Sequence, residues 1–372
     1  MIPPLHIKRL TLFKLEQPKI LHYISSLSRG GRERQLATIV ANTDQARYPT
    51  KIAYLNKQQN SYIDEYGLQE NSIRIKQKGK LKRLVELHKV LKSEKPNIVY
   101  TWGNGESVSI LLLKPFHNFK FINGSIRHGI RSKRFSHYFR TVVLHLSQNI
   151  VANSKAGLKA NNFRKGSVLY NGIEDKFFQP LINRSATRQK LTGIPDNIPL
   201  IVSVANLVPY KDYFSVLDAL KDFKVTGHNF FYLILGDGSM RLSIEDKIAS
   251  HNLQHNVRIV GNVENVSDYL KVSDIFIHSS KGEGCSNAIL EAMAAGLPII
   301  ASNTGGTSEI VTSECGLLFD YKNSAYLNSC ISNLIEDSDK RVQFGRNSYN
   351  NAVENFTMQR MMNGYYKIIE NL

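Results

Sequence analysis

Residues 274–303 read DIFIHSSKGEGCSNAILEAMAAGLPIIASN. The run DIFIHSS (274–280) is rich in β-branched and aromatic residues, as is PIIASN (298–303). Between them lie a glycine-bounded loop and a helix-favouring run, AILEAMAA, stopped by Gly296 and Pro298. The order strand, loop, helix, strand is that of a βαβ unit, which requires a parallel sheet. Cys285, Ile289, Ala292, Met293 and Gly296 fall on one helical face for packing on that sheet. Asn287 and Glu291 lie one turn apart on another face.

The same alternation extends in both directions. Upstream, KILHYIS (19–25), TKIAYL (50–55), NIVYTW (97–102), KFINGSI (120–126) and NIVANS (149–154) read as strands. RERQLATIVANTD after the first reads as a helix. KGKLKRLVELHKVLKSEKP reads as another, with Leu81, Leu84, Val85, Leu87, Val90 and Leu91 at helical spacing. Downstream, IPLIVSVAN (198–206), FFYLILGDG (230–238) and VRIVGNV (257–263) complete a second set with the two strands above. The segment EDKFFQPLINRSATRQKLTGIPDN (174–197) lacks a sustained period and contains two prolines, which marks it as the linker. The expectation is an α/β protein of two Rossmann-like parallel-sheet domains facing each other across a cleft. The first would span residues 1–180 and the second 181–355.

Composition is compatible with that size. The chain has 372 residues, 42% hydrophobic and 21% charged, which suits two ordinary globular domains. Charge is uneven. Residues 1–172 carry 30 Lys/Arg against 9 Asp/Glu, and the remainder carry 18 against 22. A basic half of this kind suits an anionic membrane surface or nucleic acid. Cys285, Cys315 and Cys330 have no metal or disulfide-framework spacing and read as free thiols of a reducing compartment. The opening residues MIPPLHIKRLTLFKLEQPK lack the apolar core of a secretory signal, so a cytoplasmic location is expected.

The quoted loop carries the chemistry. Glu283 stands between Gly282 and Gly284, which admit close approach of a ligand to the backbone. The helix after it starts near Ser286 and offers free N–H groups to an anion. A carboxylate beside an anion pocket suits hydroxyl groups, as does the acid that grips ribose in dinucleotide sites. Glu283 and Glu291 on either side of such a pocket fit a ligand with hydroxyls at both ends and phosphate between, the layout of a sugar nucleotide. An ordinary solvated helix glutamate is the other reading of Glu291. The GxGxxG fingerprint of NAD-binding sheets is absent, and no His/Asp/Glu cluster suggests a metal.

KGEGCSNAILEAMAAGLPIIASNTGGTSEIV resembles the signature of the retaining glycosyltransferases of the GT-B fold, family 4. SRGGRERQL, VANSKAGLKA (151–160), YNGIEDKFF (170–178) and LVPYKD (207–212) match as well, so the resemblance covers nearly the whole chain. It implies that Glu291 binds the nucleotide ribose, Glu283 the hydroxyls of the donor sugar, and Lys211 the diphosphate. Gly30 and Gly31 would lie close to donor phosphate and acceptor, though a simple tight turn reads equally well. His128, at the end of KFINGSI, is the candidate His presented to the reacting sugar, with Arg127 as its rival. The remaining donor contacts would come from Gly284, Asn287 and Asn206. Asn206 stands where the family often has Arg, and it lacks the bidentate charge of a guanidinium. Arg241 in GDGSMR is either a substitute for that charge or a packed or solvated Arg.

The resemblance implies transfer of a sugar from a UDP- or GDP-sugar to a hydroxyl of a glycan or lipid-linked glycan, with retention, without a cofactor. Surface polysaccharide synthesis is its setting. FTMQRMMNGYYKIIENL (356–372) would form a helix crossing back to the first domain. RHGIRSKRFSHYFR (127–140) has five Arg/Lys, two His, no acid and interleaved Phe135, Tyr138 and Phe139. Such a segment fits an anionic membrane surface, with no nucleic acid expected, or a solvated face. Two other functions remain open on the same fold: a sugar-nucleotide epimerase, and a non-catalytic nucleotide-sugar or nucleic-acid binder.

Overall fold

A computed structural model describes residues 17–27, 30–57, 61–128 and 135–372, with backbone alone for 135–139. Seven parallel strands form the first sheet: β1 (Ile20–Leu27), β2 (Thr50–Lys57), β3 (Ser72–Arg74), β4 (Ile98–Thr101), β5 (Lys120–Ile126), β6 (Asn149–Ala152) and β7 (Ser167–Val168). Six form the second: β8 (Leu200–Val204), β9 (Phe231–Leu235), β10 (Val257–Gly261), β11 (Ile275–His278), β12 (Ile299–Ser302) and β13 (Gly316–Phe319). All pairings between these strands are parallel. The central strands are continuous apolar runs because helices cover both faces of each sheet. Three strands exceed the sequence reading, β3, β7 and β13. They have two to four residues, too few for a period to show.

Both sheets reverse their order in the same way. The first runs β3-β2-β1-β4-β5-β6-β7 and the second β10-β9-β8-β11-β12-β13. The crossovers therefore diverge between β1 and β4 and between β8 and β11. A crevice opens there at the carboxyl ends, which is where open α/β sheets hold ligands. The loop after β1 ends at Gly30 and Gly31 opens the following helix, the loop after β8 carries Lys211, and the loop after β11 carries Glu283.

The segment 174–197 departs from its reading as an aperiodic linker, since Arg184–Thr192 is a helix. Guanidinium bonds hold it, with little contribution from an apolar stripe. Arg188 is fully buried and donates to the carbonyls of Ile194 (3.2 Å), Val272 (3.1 Å) and Pro195 (3.1 Å). It also pairs with Asp274 at 2.8 Å, and Arg184 reaches the other oxygen of that carboxylate at 2.7 Å. The helix Met358–Glu370 places Met361, Met362, Tyr365 and Ile369 in one apolar core with Ile20, Ile24, Leu36, Ile98 and Trp102 of the first domain. His22 beneath it is buried, and burial pulls its pKa down to about 3. Trp102 Nε1–H donates to His22 Nδ1 at 3.1 Å, so the neutral ring carries its proton on Nε2 and donates to the Tyr365 hydroxyl at 3.0 Å.

Candidate active site

A cavity of about 760 Å³ lies between the two domains. Gly30, Gly31, Asn206, Lys211, Glu283, Asn287 and Glu291 line it, together with His128 and Arg127. The topology of the two sheets thus gathers residues that the chain separates by more than 200 positions.

At one end Lys211, Glu283 and His278 form a cluster. The Lys211 ammonium pairs directly with Glu283 Oε1, which also accepts from Ser280 Oγ at 3.1 Å. Burial alone would raise the Glu283 pKa, but Lys211 and the neighbouring His278 together outweigh it and hold the carboxyl well below its usual range. His278 is 3% exposed, and its Nε2 is 3.4 Å from Lys211 Nζ. Burial and the Lys211 charge lower its pKa, so the ring is neutral and accepts from the ammonium. Lys211 itself ends the short turn Pro209–Lys211. That turn is fixed by the amide of Lys281 on the Tyr210 carbonyl at 2.8 Å.

Glu291 marks the other end, 4% exposed on the helix Asn287–Ala294. Burial raises its pKa, an effect opposed by Arg34. Arg34 comes from the helix Gly31–Ala41 of the first domain and pairs with Glu291 across the cleft. Its Nε also lies 3.5 Å from Glu174. Sequence reading missed Arg34 because its partner is 257 residues away and no local pattern signals it. Its nearest signal was SRGGRERQL, where a charged residue follows the glycine pair.

Between the two acids stands the amino end of the helix Asn287–Ala294. Ser286, Asn287 and Ala288 face the cavity, and Ser286 makes no side-chain cap. Its first amides are therefore open to an anion. The Asn287 carboxamide accepts from Asn171 Nδ2 at 2.5 Å, a contact from YNGIEDKFF. Cys285 beneath is buried, and desolvation pushes its thiol up to about 12, which makes it packing and no nucleophile.

The remaining candidates separate. His128 opens onto the cavity, and burial lowers its pKa with Glu283 opposing. Arg127 lies 4.4 Å over the Trp102 ring and donates to the Gly124 carbonyl at 3.0 Å and to Gln35. Desolvation lowers its pKa. Asn206 is exposed on the cavity wall. Arg241 is absent from that wall and is engaged by Asp237 and Glu245, each at 2.9 Å. Gly284 is filled from the first domain, since a Cβ there would collide with Asn153 Oδ1. Of RHGIRSKRFSHYFR, residues 129–134 lie outside the described residues.

Residues 184–351 match the family described as Glycosyl transferases group 1. The chain is 26% identical over 302 residues to the UDP-Gal:alpha-D-GlcNAc-diphosphoundecaprenol alpha-1,3-galactosyltransferase of Escherichia coli, covering 75% of this chain and 76% of that one. It is 26% identical over 208 residues to the O-antigen biosynthesis glycosyltransferase WclY of the same species, covering 56% of each. Its fold superposes on Anabaena HepE, solved in complex with UDP, with a TM-score of 0.84. That alignment has 18% identity and covers 95% of this chain and 100% of the other.

Proposed function

We propose that this chain, which belongs to the group 1 glycosyl transferases and has their GT-B fold, moves a hexosyl group with retention from a UDP- or GDP-sugar to a hydroxyl of a glycan or lipid-linked glycan. The observation that supports this most is the placement of Lys211, Glu283 and Glu291 on one interdomain cavity, with an open helix amino end between the acids. Glu291 takes the ribose hydroxyls. The amides at Asn287 and the Lys211 ammonium take the diphosphate, and Glu283 takes the hydroxyls of the sugar. Gly30 and Gly31 admit the phosphate and acceptor from the opposite wall.

In the reaction the bond from sugar C1 to the phosphate oxygen breaks and one from C1 to the acceptor oxygen forms. The acceptor proton passes to the leaving diphosphate. Charge accumulates on that diphosphate, and the Lys211 ammonium stabilises it. Glu283, held ionised by Lys211, positions the sugar and does not act as a proton donor. His128, neutral at pH 7 by the direction of its shift, is placed to accept from a sugar hydroxyl.

For acceptor delivery we infer peripheral contact with an anionic membrane from the cytoplasmic side. Leu112, Phe116, Val142 and Leu146 are exposed on touching elements of the first domain, at 58%, 72%, 44% and 64%. They stand in the basic half of the chain, next to Lys114. Among the described residues no helix is long and apolar enough to cross a membrane. Binding to vesicles rich in anionic lipid at physiological salt is the expected result, and its absence removes this part.

The main test incubates the protein with UDP- and GDP-sugars and a glycosyl-diphosphate-lipid acceptor, followed by mass spectrometry and NMR of the product anomer. Transfer with the donor's anomeric configuration is expected, and Glu291→Ala abolishes donor binding. An epimer formed from donor alone, or nucleotide binding unchanged in Glu291→Ala, contradicts the reading.

A further inference from the structure

Three stretches that lie far apart in the chain, VANSKAGLKA, YNGIEDKFF and GGTSEIV, meet at one carboxylate. Glu309 Oε2 accepts from the Lys155 amide at 2.8 Å and from the Tyr170 hydroxyl at 2.7 Å, while Oε1 accepts from the Ala156 amide at 2.6 Å. Lys155 and Ala156 begin the helix Lys155–Ala160, whose cap Ser154 takes only the Gly157 amide, at 3.0 Å. The two amides beyond reach of Ser154 are thus satisfied by a side chain of the other domain.

The Glu309 loop is also tied to the sugar end of the cavity. The Gly306 amide donates to the Glu283 carbonyl at 2.9 Å. A Cβ at Gly306 would strike the Gly284 carbonyl and lie 2.8 Å from Ser154 Cβ. Asn171 Nδ2 holds the Cys285 carbonyl at 2.9 Å. Residues 284–287 and 306–309 of the second domain are therefore seated on residues 153–156 and 171 of the first.

We propose that Glu309 is a positioning residue that holds the domains closed at one setting and so places Glu283 against the reacting sugar, without touching substrate. The proposal rests on the transferase reading for its catalytic consequence and on geometry alone for its effect on closure. Opening the cleft strips one carboxylate of three hydrogen bonds at once. Lys211, Asn287 and Glu291 all belong to the second domain and move together, so loss of this seat falls mainly on the chemical step and less on nucleotide binding.

Two substitutions test it from opposite sides. Glu309→Ala removes the acceptor. Lys155→Pro removes one donor at the first helical position, where proline is well accepted. Ser154 before it, at φ −162° and ψ 154°, already has the extended backbone that proline demands. The three native cysteines are buried, so distance labels go to Val85→Cys and Val342→Cys, both on exposed positions of opposite domains. Each variant is expected to widen the label distance, lower kcat about tenfold or more through misplacement of Glu283, and change UDP affinity less than about threefold. Glu309→Gln, which keeps one acceptor oxygen, recovers part of kcat.

An unchanged label distance and kcat in both variants overturns the proposal. A parallel fall of kcat, UDP affinity and melting temperature also does so, because it marks a purely structural residue. If Glu309→Ala fails to fold, Lys155→Pro alone decides by the same readouts. A wild-type protein that binds no nucleotide and moves no sugar refutes the transferase reading, and the label distance then still decides closure.

Discussion

Glu291 would resist ionisation in its buried position were it not for Arg34, which reaches it from the opposite domain. Its folded-state pKa is nevertheless above the usual carboxylate value, so it takes up a proton at higher pH than an exposed glutamate as the solution is acidified. A protonated carboxyl accepts ribose hydroxyls less well. UDP affinity, measured by calorimetry from pH 8 to pH 5, is therefore expected to fall on the acid side, above the range of ordinary carboxylates. Arg34→Gln removes the opposing cation and moves that fall to higher pH, while Glu291→Gln binds weakly without it. Lys211 sits under the opposite influence, paired with an acid kept ionised. Lys211→Ala is expected to cost about 10² to 10³ in kcat by removing charge from the leaving diphosphate. Steady-state kinetics with a turned-over nucleotide sugar measure it. Glu283, Glu291 and Lys211 were legible from their spacing and motifs. Arg34 and His278 were not, because what distinguishes them is a partner brought near only by folding.

Elements were legible where burial on both faces makes a strand continuously apolar, as in LIVSV and IFIH. They were illegible where something other than an apolar stripe holds them. The helix Arg184–Thr192 is the clearest case, since its anchor is a guanidinium fanned across carbonyls. A buried charge stripped of its partner is costly, and here one cation satisfies several acceptors. Arg188→Ala is expected to lower stability by about 3 kcal/mol, with Arg184 still on Asp274 to limit the damage. Urea unfolding with an unchanged slope and a lowered midpoint is the measurement. Strands β7 and β13 escaped notice for a simpler reason. Two to four residues at a sheet edge leave no period to read.

On the scale of the whole molecule, the first sheet borrows part of its core from the far end of the described chain. Met361, Met362, Tyr365 and Ile369 fill space above Ile20, Ile98 and Trp102, and Tyr365 bonds His22 at 343 residues' separation. Residues 17–182 alone are accordingly expected to remain unfolded or molten by circular dichroism, and a peptide of residues 356–372 added in trans restores structure. The two-domain α/β plan itself could be read from DIFIHSSKGEGCSNAILEAMAAGLPIIASN and its counterparts. The seat at Glu309 could not, since each of its three stretches has a different neighbour in sequence.

The borrowed helix also governs the order of events during synthesis. Domains fold as the chain emerges, the earlier ones first. Here the sheet that is translated first has to wait for Tyr365 before His22, which holds Trp102, has its final partner. Arg127 rests on that Trp102 ring and forms part of the cleft wall. A ribosome that stops early thus releases a chain whose first wall was never finished, even if its second sheet is folded. Such a fragment has no complete cleft in which a nucleotide sugar would be cleaved wastefully by water.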